Sequence, residues 1–185
     1  IGIDLAYAEC SLGTLGGGNH FIEIGVAEKT ENIWITVHSG SRNFGKKLCE
    51  YWQSIAENDI TAPKREFFAE EVKRIKLLSK GKEIEQKIKK LKEQLFVGNT
   101  PNDLTFLRDK HAQEYLNDMK FVELYAHYNR EYIIRKISEI LQMLPIDVIE
   151  TVHNYISFED DIIRKGAVAS YKGKKLLIPL NMRDG

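Results

Sequence analysis

Three histidines lie where chemistry could gather. His20 follows a glycine run, Gly16-Gly17-Gly18-Asn19, and opens an apolar alternation, Phe21-Ile22-Glu23-Ile24-Gly25-Val26. His38 closes a second such run, Ile33-Trp34-Ile35-Thr36-Val37. With a polar turn between them, at Glu28 to Asn32, the two runs read as an antiparallel hairpin. Residues 20 and 38 then fall opposite or nearly opposite one another. Cross-strand neighbours on one face have Cβ atoms about 5 Å apart, so two imidazoles placed this way could share one divalent ion. His153, in Val152-His153-Asn154-Tyr155, begins a later strand-like run and is a candidate third ligand. Nitrogen ligation suits zinc, manganese, iron or nickel and does not choose among them. The plainer alternative is a pair of hairpin histidines that only hydrogen-bond backbone. His111 and His127 sit among ordinary helix residues and read as surface or partly packed histidines.

Groups that could hold phosphate flank the same segments. Gly16-Gly17-Gly18 offers backbone N–H groups with little obstruction, although a tight turn is the default for such a run. Arg42, in Ser39-Gly40-Ser41-Arg42, stands near the expected start of a helix. Arg164 and Lys165 repeat the theme later in the chain. Asn19, Phe21 and Glu23 alternate along the first strand and share a face. A carboxylate there could accept two N–H donors from a guanine edge, with Phe21 against the ring; on pattern alone a solvated Glu beside a core Phe is the first reading.

The elements that must position these residues are strands, then helices, then strands, an order that favours α+β over alternating βαβ units. Ser41 or Asn43 could cap a helix whose face carries Phe44, Leu48, Trp52 and Ile55. Residues 64–96 are highly charged and helical. Phe68, Val72 and Ile75 form one stripe and Ile84, Ile88, Leu91 and Leu95 another, out of phase across Ser79-Lys80-Gly81-Lys82. A helical hairpin turning at Gly81 explains the phase change and predicts an arm projecting from the domain. Its lysines, Lys80, Lys82, Lys87, Lys89, Lys90 and Lys92, read as a solvated face or as an RNA-backbone contact. A long helix is expected from about His111 to about Met143, burying Leu116, Met119, Val122, Tyr125, Ala126, Tyr132, Ile133, Ile137 and Ile140, and ended by Pro145. Strand-like runs follow at Val148–Ile156, Ile162–Tyr171 and Leu176–Leu180.

Composition sets the limits. The 185 residues balance 27 basic against 27 acidic side chains, so no global field draws the chain to nucleic acid, and any RNA contact must be local. Apolar residues at 43% suffice for a core. Two cysteines outside any CxxC pair suggest a reducing compartment. No apolar run approaches the roughly 20 residues of a membrane span.

The motifs LGTLGGGNHFIEI, VHSGSRNFG, VHNYI and IIRKGAVAS resemble, in that order, the central motifs of the RtcB tRNA-splicing ligases, and YLNDMKFVELYAHYNREYI resembles the family's long middle helix. The resemblance implies an RtcB-like mixed α+β fold, with antiparallel strands around the site, a long central helix and a helical insertion at about 60–100. It implies a cytoplasmic GTP- and Mn²⁺-dependent RNA ligase of tRNA splicing or RNA repair. Such an enzyme joins 2′,3′-cyclic phosphate or 3′-phosphate ends to 5′-hydroxyl ends through a histidine–GMP intermediate. Its implied metal ligands, for two manganese ions in the family, are His20, His38 and His153. Implied nucleotide contacts are Asn19, His20, Phe21, Ile22, Glu23, His153 and Asn154, together with Pro179, Leu180, Asn181 and Met182. These last four stand where the family normally reads PGSM, a departure that a subgroup of the family shares. Arg42, Arg164 and Lys165 are candidate RNA or phosphate contacts, and an archease-like activator is an implied partner. The family's upstream DxGCG-like metal motif and downstream HGAGR motif, whose histidine takes up GMP, do not occur in these residues. The chain therefore reads as the central portion of a larger enzyme, with the nucleophile expected beyond Gly185. Two other classes compete: a metal-dependent phosphoesterase using the same three histidines, and a non-catalytic piece whose helical arm is an interaction module.

Overall fold

The structure is a computed structural model that describes residues 2–96 and 105–177. It is mixed α+β. Helix α1 (Leu5–Ser11) precedes strands β1 (Phe21–Val26) and β2 (Ile33–His38). Helices α2 (Arg42–Leu78), α3 (Lys82–Phe96) and α4 (Asp109–Leu141) follow, and strands β3 (Asn154–Ser157) and β4 (Ile162–Lys165) come last. Two compact units result, one built from residues 1–4 and 43–118, the other from residues 5–42 and 119–185.

The first unit is helical. The expected 44–55 face and the first arm stripe lie on one continuous 37-residue helix, which runs through Pro63. Proline there removes only one i→i−4 bond. Leu48, Trp52 and Ala56 are buried, and the Trp52 indole N–H donates to Asp118 Oδ2 at 2.9 Å. The reversal at Gly81 is present: α2 ends at Leu78, α3 begins at Lys82, and Gly81 has φ +59°. Both arm stripes are half-buried between exposed neighbours. Phe68 meets Phe96 edge to face at 5.6 Å between ring centres. The six arm lysines are exposed, and Lys87 pairs with Glu83 and donates to buried Ser79.

The second unit holds both hairpins. β1 and β2 pair antiparallel, with Phe21 opposite His38 and Val26 opposite Ile33. β3 and β4 pair antiparallel, with Asn154 opposite Lys165. The second pair is shorter than the Val148–Ile156 and Ile162–Tyr171 runs, because isolated two-stranded ribbons extend only where side chains pack. Leu176 and Leu177 are not in a strand, and residues 178–180 of that expected run lie outside the described residues. Helix α4 covers the core of this unit with Val122 and Ile133, joined by Ala8, Ile156 and Ala169. Tyr125 donates to Ala8 O at 2.6 Å, and Glu123 accepts from Ile156 N at 2.9 Å. The expected buried side of α4 is too wide at its far end: Tyr132 is 40% exposed and Ile140 78% exposed. The place of a core side chain is taken instead by Asn129, which is fully buried.

Candidate functional site

The three histidines come together in the second unit. His38 ends β2, His20 immediately precedes β1, and His153 immediately precedes β3. The direct cross-strand partner of His38 is Phe21, one residue from the position the hairpin suggested for His20. Phe21 stacks on the His38 ring at 5.2 Å and 11°. His20 still reaches His38, with ring centres 5.9 Å apart, because it lies outside the ladder and is not held to the strict alternation of a strand. The His38 and His153 rings are 5.3 Å apart. Two imidazoles that bind one ion through nitrogen at about 2.1 Å place their ring centres roughly 5 Å apart, so both spacings are of the right size for shared ligation. Among the described residues, no group of three or more His, Cys, Asp or Glu side chains is placed to hold a metal ion.

Burial, followed by the nearby His153, His20 and Arg130, lowers the His38 pKa from its ordinary value and so favours the neutral ring, which keeps a lone pair. The Nδ1 atom of His153 is buried and has no hydrogen-bond partner among the described residues. A buried imidazole nitrogen without a partner carries a desolvation cost that ligation would remove. This unpartnered atom, beside a neutral His38, is the feature of the donor set that fits a divalent metal.

Arg42 opens α2 in left-handed backbone, φ +55°, and Ser41, one of the two suggested caps, stands immediately before it. Its Nε donates to Thr14 Oγ1 at 3.1 Å, and its Nη1 lies 3.3 Å from His20 Nδ1. A guanidinium has only donors, so Nδ1 of His20 is the acceptor here. Gly16 makes this approach possible. At φ +99°, a Cβ on it would overlap the Arg42 guanidinium and sit 2.5 Å from His20 Nδ1. The glycine run is thus a close-approach device beside the first histidine.

The other sequence candidates divide. Asn19, Ile22 and Glu23 are exposed, whereas Phe21 is half-buried against His38. Asn154 Oδ1 accepts from Gly166 N at 2.8 Å, and His153 O accepts from Ala167 N at 3.1 Å, so the β3–β4 hairpin closes around the third histidine. Arg164 is engaged within its own hairpin. It forks onto both oxygens of Asp160 at 3.2 and 2.5 Å, reaches Tyr171 OH at 3.3 Å and lies over the Tyr155 ring. The Arg164 hydrogen bonds hold the Asp160 carboxyl well below the usual carboxylate range, helped by those from Ser157 and Tyr171. Lys165 is exposed. Pro179, Leu180, Asn181 and Met182 lie outside the described residues. His111 and His127 pair with carboxylates, Asp59 at 2.8 Å and Glu150 at 2.7 Å. A cavity of about 370 Å³ lies on α4 away from these groups, lined by Leu12, Tyr125, Tyr128, Glu131, Tyr132 and Arg135.

The family model described as tRNA-splicing ligase RtcB matches residues 5–185. The chain belongs to the RtcB family. Over 92% of its length it is 27% identical to the RNA-splicing ligase RtcB of Escherichia coli (strain K12), of which it covers 38%. Over 94% of its length it is 23% identical to the tRNA-splicing ligase RtcB of Pyrobaculum aerophilum, of which it covers 37%. A 70-residue stretch is 34% identical to the tRNA-splicing ligase RtcB of Methanopyrus kandleri. The chain therefore spans less than two-fifths of the E. coli and Pyrobaculum RtcB proteins. No solved structure gives a significant match. Among the described residues, no helix is long and apolar enough to cross a membrane.

Four residues around the histidine cluster carry no mark in the sequence motifs: Ser39, Asn129, Arg130 and Glu150. Arg130 donates to Ser39 O at 3.2 Å and makes a two-pronged pair with Glu150 Oε1. Burial alone would raise the Glu150 pKa. The Arg130 hydrogen bonds and charge, with the bond from His127, more than offset this, so the carboxyl sits below its ordinary range. One signal was available. Asn129 falls seven residues after Val122 and four before Ile133, on the buried stripe of α4, where a polar residue needs partners.

Proposed function

We propose that this chain is the central part of the catalytic domain of an RNA ligase, with a helical insertion at about 60–100. The enzyme joins 2′,3′-cyclic phosphate or 3′-phosphate RNA ends to 5′-hydroxyl ends, using GTP and Mn²⁺, through a histidine–GMP intermediate whose nucleophile lies outside these residues. The observation that carries the reading is the approach of His38 to both His20 and His153, three histidines from separate segments, with the buried Nδ1 of His153 lacking a partner among the described residues. The family of the chain and the names of its relatives support the reaction class.

Each residue contributes something definite. His20, His38 and His153 would hold the metal, which when bound supplies neutralisation of charge developing on phosphate oxygens. Phe21 covers one face of His38 and fixes its plane. Arg42 shields Nδ1 of His20. Release of that contact would free a guanidinium for a phosphate at the mouth of the glycine run. Asn19, Glu23 and Asn154 offer amide and carboxylate groups on exposed edges near the histidines, suited to a guanine base and ribose. RNA ends, GTP and an archease-like activator are the partners this reading implies, in the cytoplasm.

Calorimetric titration with Mn²⁺, with and without GTP, tests it. The ligase reading expects metal binding that GTP strengthens and that His153→Ala weakens. Binding indifferent to GTP would favour a metal phosphoesterase, and absence of binding by the folded chain would remove the catalytic reading of these residues.

A further inference from the structure

Asn129 is the only fully buried large side chain among the described residues, yet it is polar and lies on a helix that supplies none of the three clustered histidines. All its hydrogen-bonding capacity is directed at two loops. Its Oδ1 accepts from Gly13 N at 2.8 Å. Its two Nδ2 protons are shared among Thr14 O at 3.2 Å, Ser39 Oγ at 3.0 Å and Gly40 O at 3.2 Å. Ser39 Oγ in turn donates to Leu15 O at 2.7 Å, which ties the two loops directly. The first loop leads into His20 and carries Thr14, whose hydroxyl accepts from the Arg42 guanidinium that contacts His20. The second loop begins one residue after His38. The next residue on α4, Arg130, donates to Ser39 O and binds Glu150, three residues before His153.

We infer that Asn129, extended by Arg130, is the positioning device of the histidine cluster: one turn of α4 sets the spacing of His20, His38 and the segment carrying His153 without contributing a ligand. The physical reason for an amide at this point is stoichiometric. Two loops must be held at fixed separation with their backbone groups buried, and a single carboxamide offers both an acceptor and donors to them. An apolar side chain of the same size would fill the space and leave Gly13 N–H, Thr14 O and Gly40 O without partners. Groups hydrogen-bonded directly to metal-binding histidines alter affinity by roughly 10- to 100-fold, and Asn129, which acts on the loops that carry them, should fall at the lower end of that range. Only the metal part of this inference rests on the function proposed above.

The test compares Asn129→Ala and Asn129→Asp with Val122→Ala, a buried apolar truncation on the same helix that touches neither loop by hydrogen bonds. In the metal-free chain, NMR of the histidine rings is the first readout. Asn129→Ala should shift the ring resonances of both His20 and His38, while Val122→Ala lowers stability and leaves the rings in place. Asn129→Asp retains the acceptor for Gly13 and should keep that amide slow to exchange while loosening Ser39 and Gly40. The second readout is the visible d–d spectrum on titration with Co²⁺. Asn129→Ala should weaken Co²⁺ binding by roughly 10-fold. Unmoved His20 and His38 rings in both Asn129 variants, or equal movement in Val122→Ala, overturns the inference. Should the unaltered chain bind no Co²⁺, the metal reading fails, and the ring shifts still decide the role of Asn129.

Discussion

Gly16→Ala is the sharpest single perturbation of the site, because its neighbour Gly17 supplies an internal control. Gly16 has φ +99°, a region that side-chain-bearing residues occupy at a cost of about 1–3 kcal/mol. An added Cβ would also overlap the Arg42 guanidinium and lie 2.5 Å from His20 Nδ1. Arg42 is at the end of a flexible side chain and can move away, so the clash is relieved at the expense of its bonds to Thr14 and His20. Exposed bonds of that kind contribute about 0.5–1.5 kcal/mol each. Strain and lost contacts together predict a loss of about 2–3 kcal/mol, since relaxation of the loop relieves part of the strain. At Gly17 a Cβ meets nothing within 4 Å and φ is not positive, so Gly17→Ala should change stability by less than about 0.5 kcal/mol. Urea unfolding followed by Trp34 fluorescence, in a Trp52→Phe background, reads the second unit alone, since Trp34 lies in it and Trp52 does not. Equal midpoints for the two glycine variants would refute the close-approach account of the glycine run.

Other consequences follow from particular contacts. Because the Glu150 carboxyl is depressed, its contribution to stability is complete above its ordinary value near 4.5 and is lost as pH falls through its lower folded-state value. Acid unfolding of the second unit should therefore steepen below about pH 4.5, and Glu150→Gln, costing about 1 kcal/mol at neutral pH, should flatten that limb. Trp52→Phe removes the indole bond to Asp118 and should lower the stability of the first unit by about 1 kcal/mol, measured by chemical denaturation. Arg164→Ala should speed amide exchange at Ile163 and Lys165 by loosening the Asp160–Tyr171 clamp, whereas Lys165→Ala should leave the hairpin unchanged.

Much of this architecture was legible in the residues. Alternation in 21–26 and 33–38 fixes β1 and β2, and the phase change across Gly81 fixes the helical reversal, because both depend on local periodicity. The gathering of His20 and His38 also followed from the hairpin, although the ladder register places Phe21 and not His20 opposite His38. Register depends on how the turn closes, here through Ala27 and Asn32 with Glu31 at φ +58°, and composition does not specify it. The fate of Arg164 was not legible, since a basic residue beside glycine reads as a phosphate contact until Asp160 and Tyr171 are seen around it. Asn129 lay in plain view on an apolar stripe. What it binds depends on two loops more than 85 residues away in sequence, and no local pattern encodes that pairing.

Anomalous diffraction at the manganese edge, from crystals of the chain grown with Mn²⁺, tests the central claim most directly. The account predicts a peak within bonding distance of nitrogens of His20, His38 and His153. A peak found only on surface carboxylates of the helical arm, with the three rings left as they stand, would contradict it.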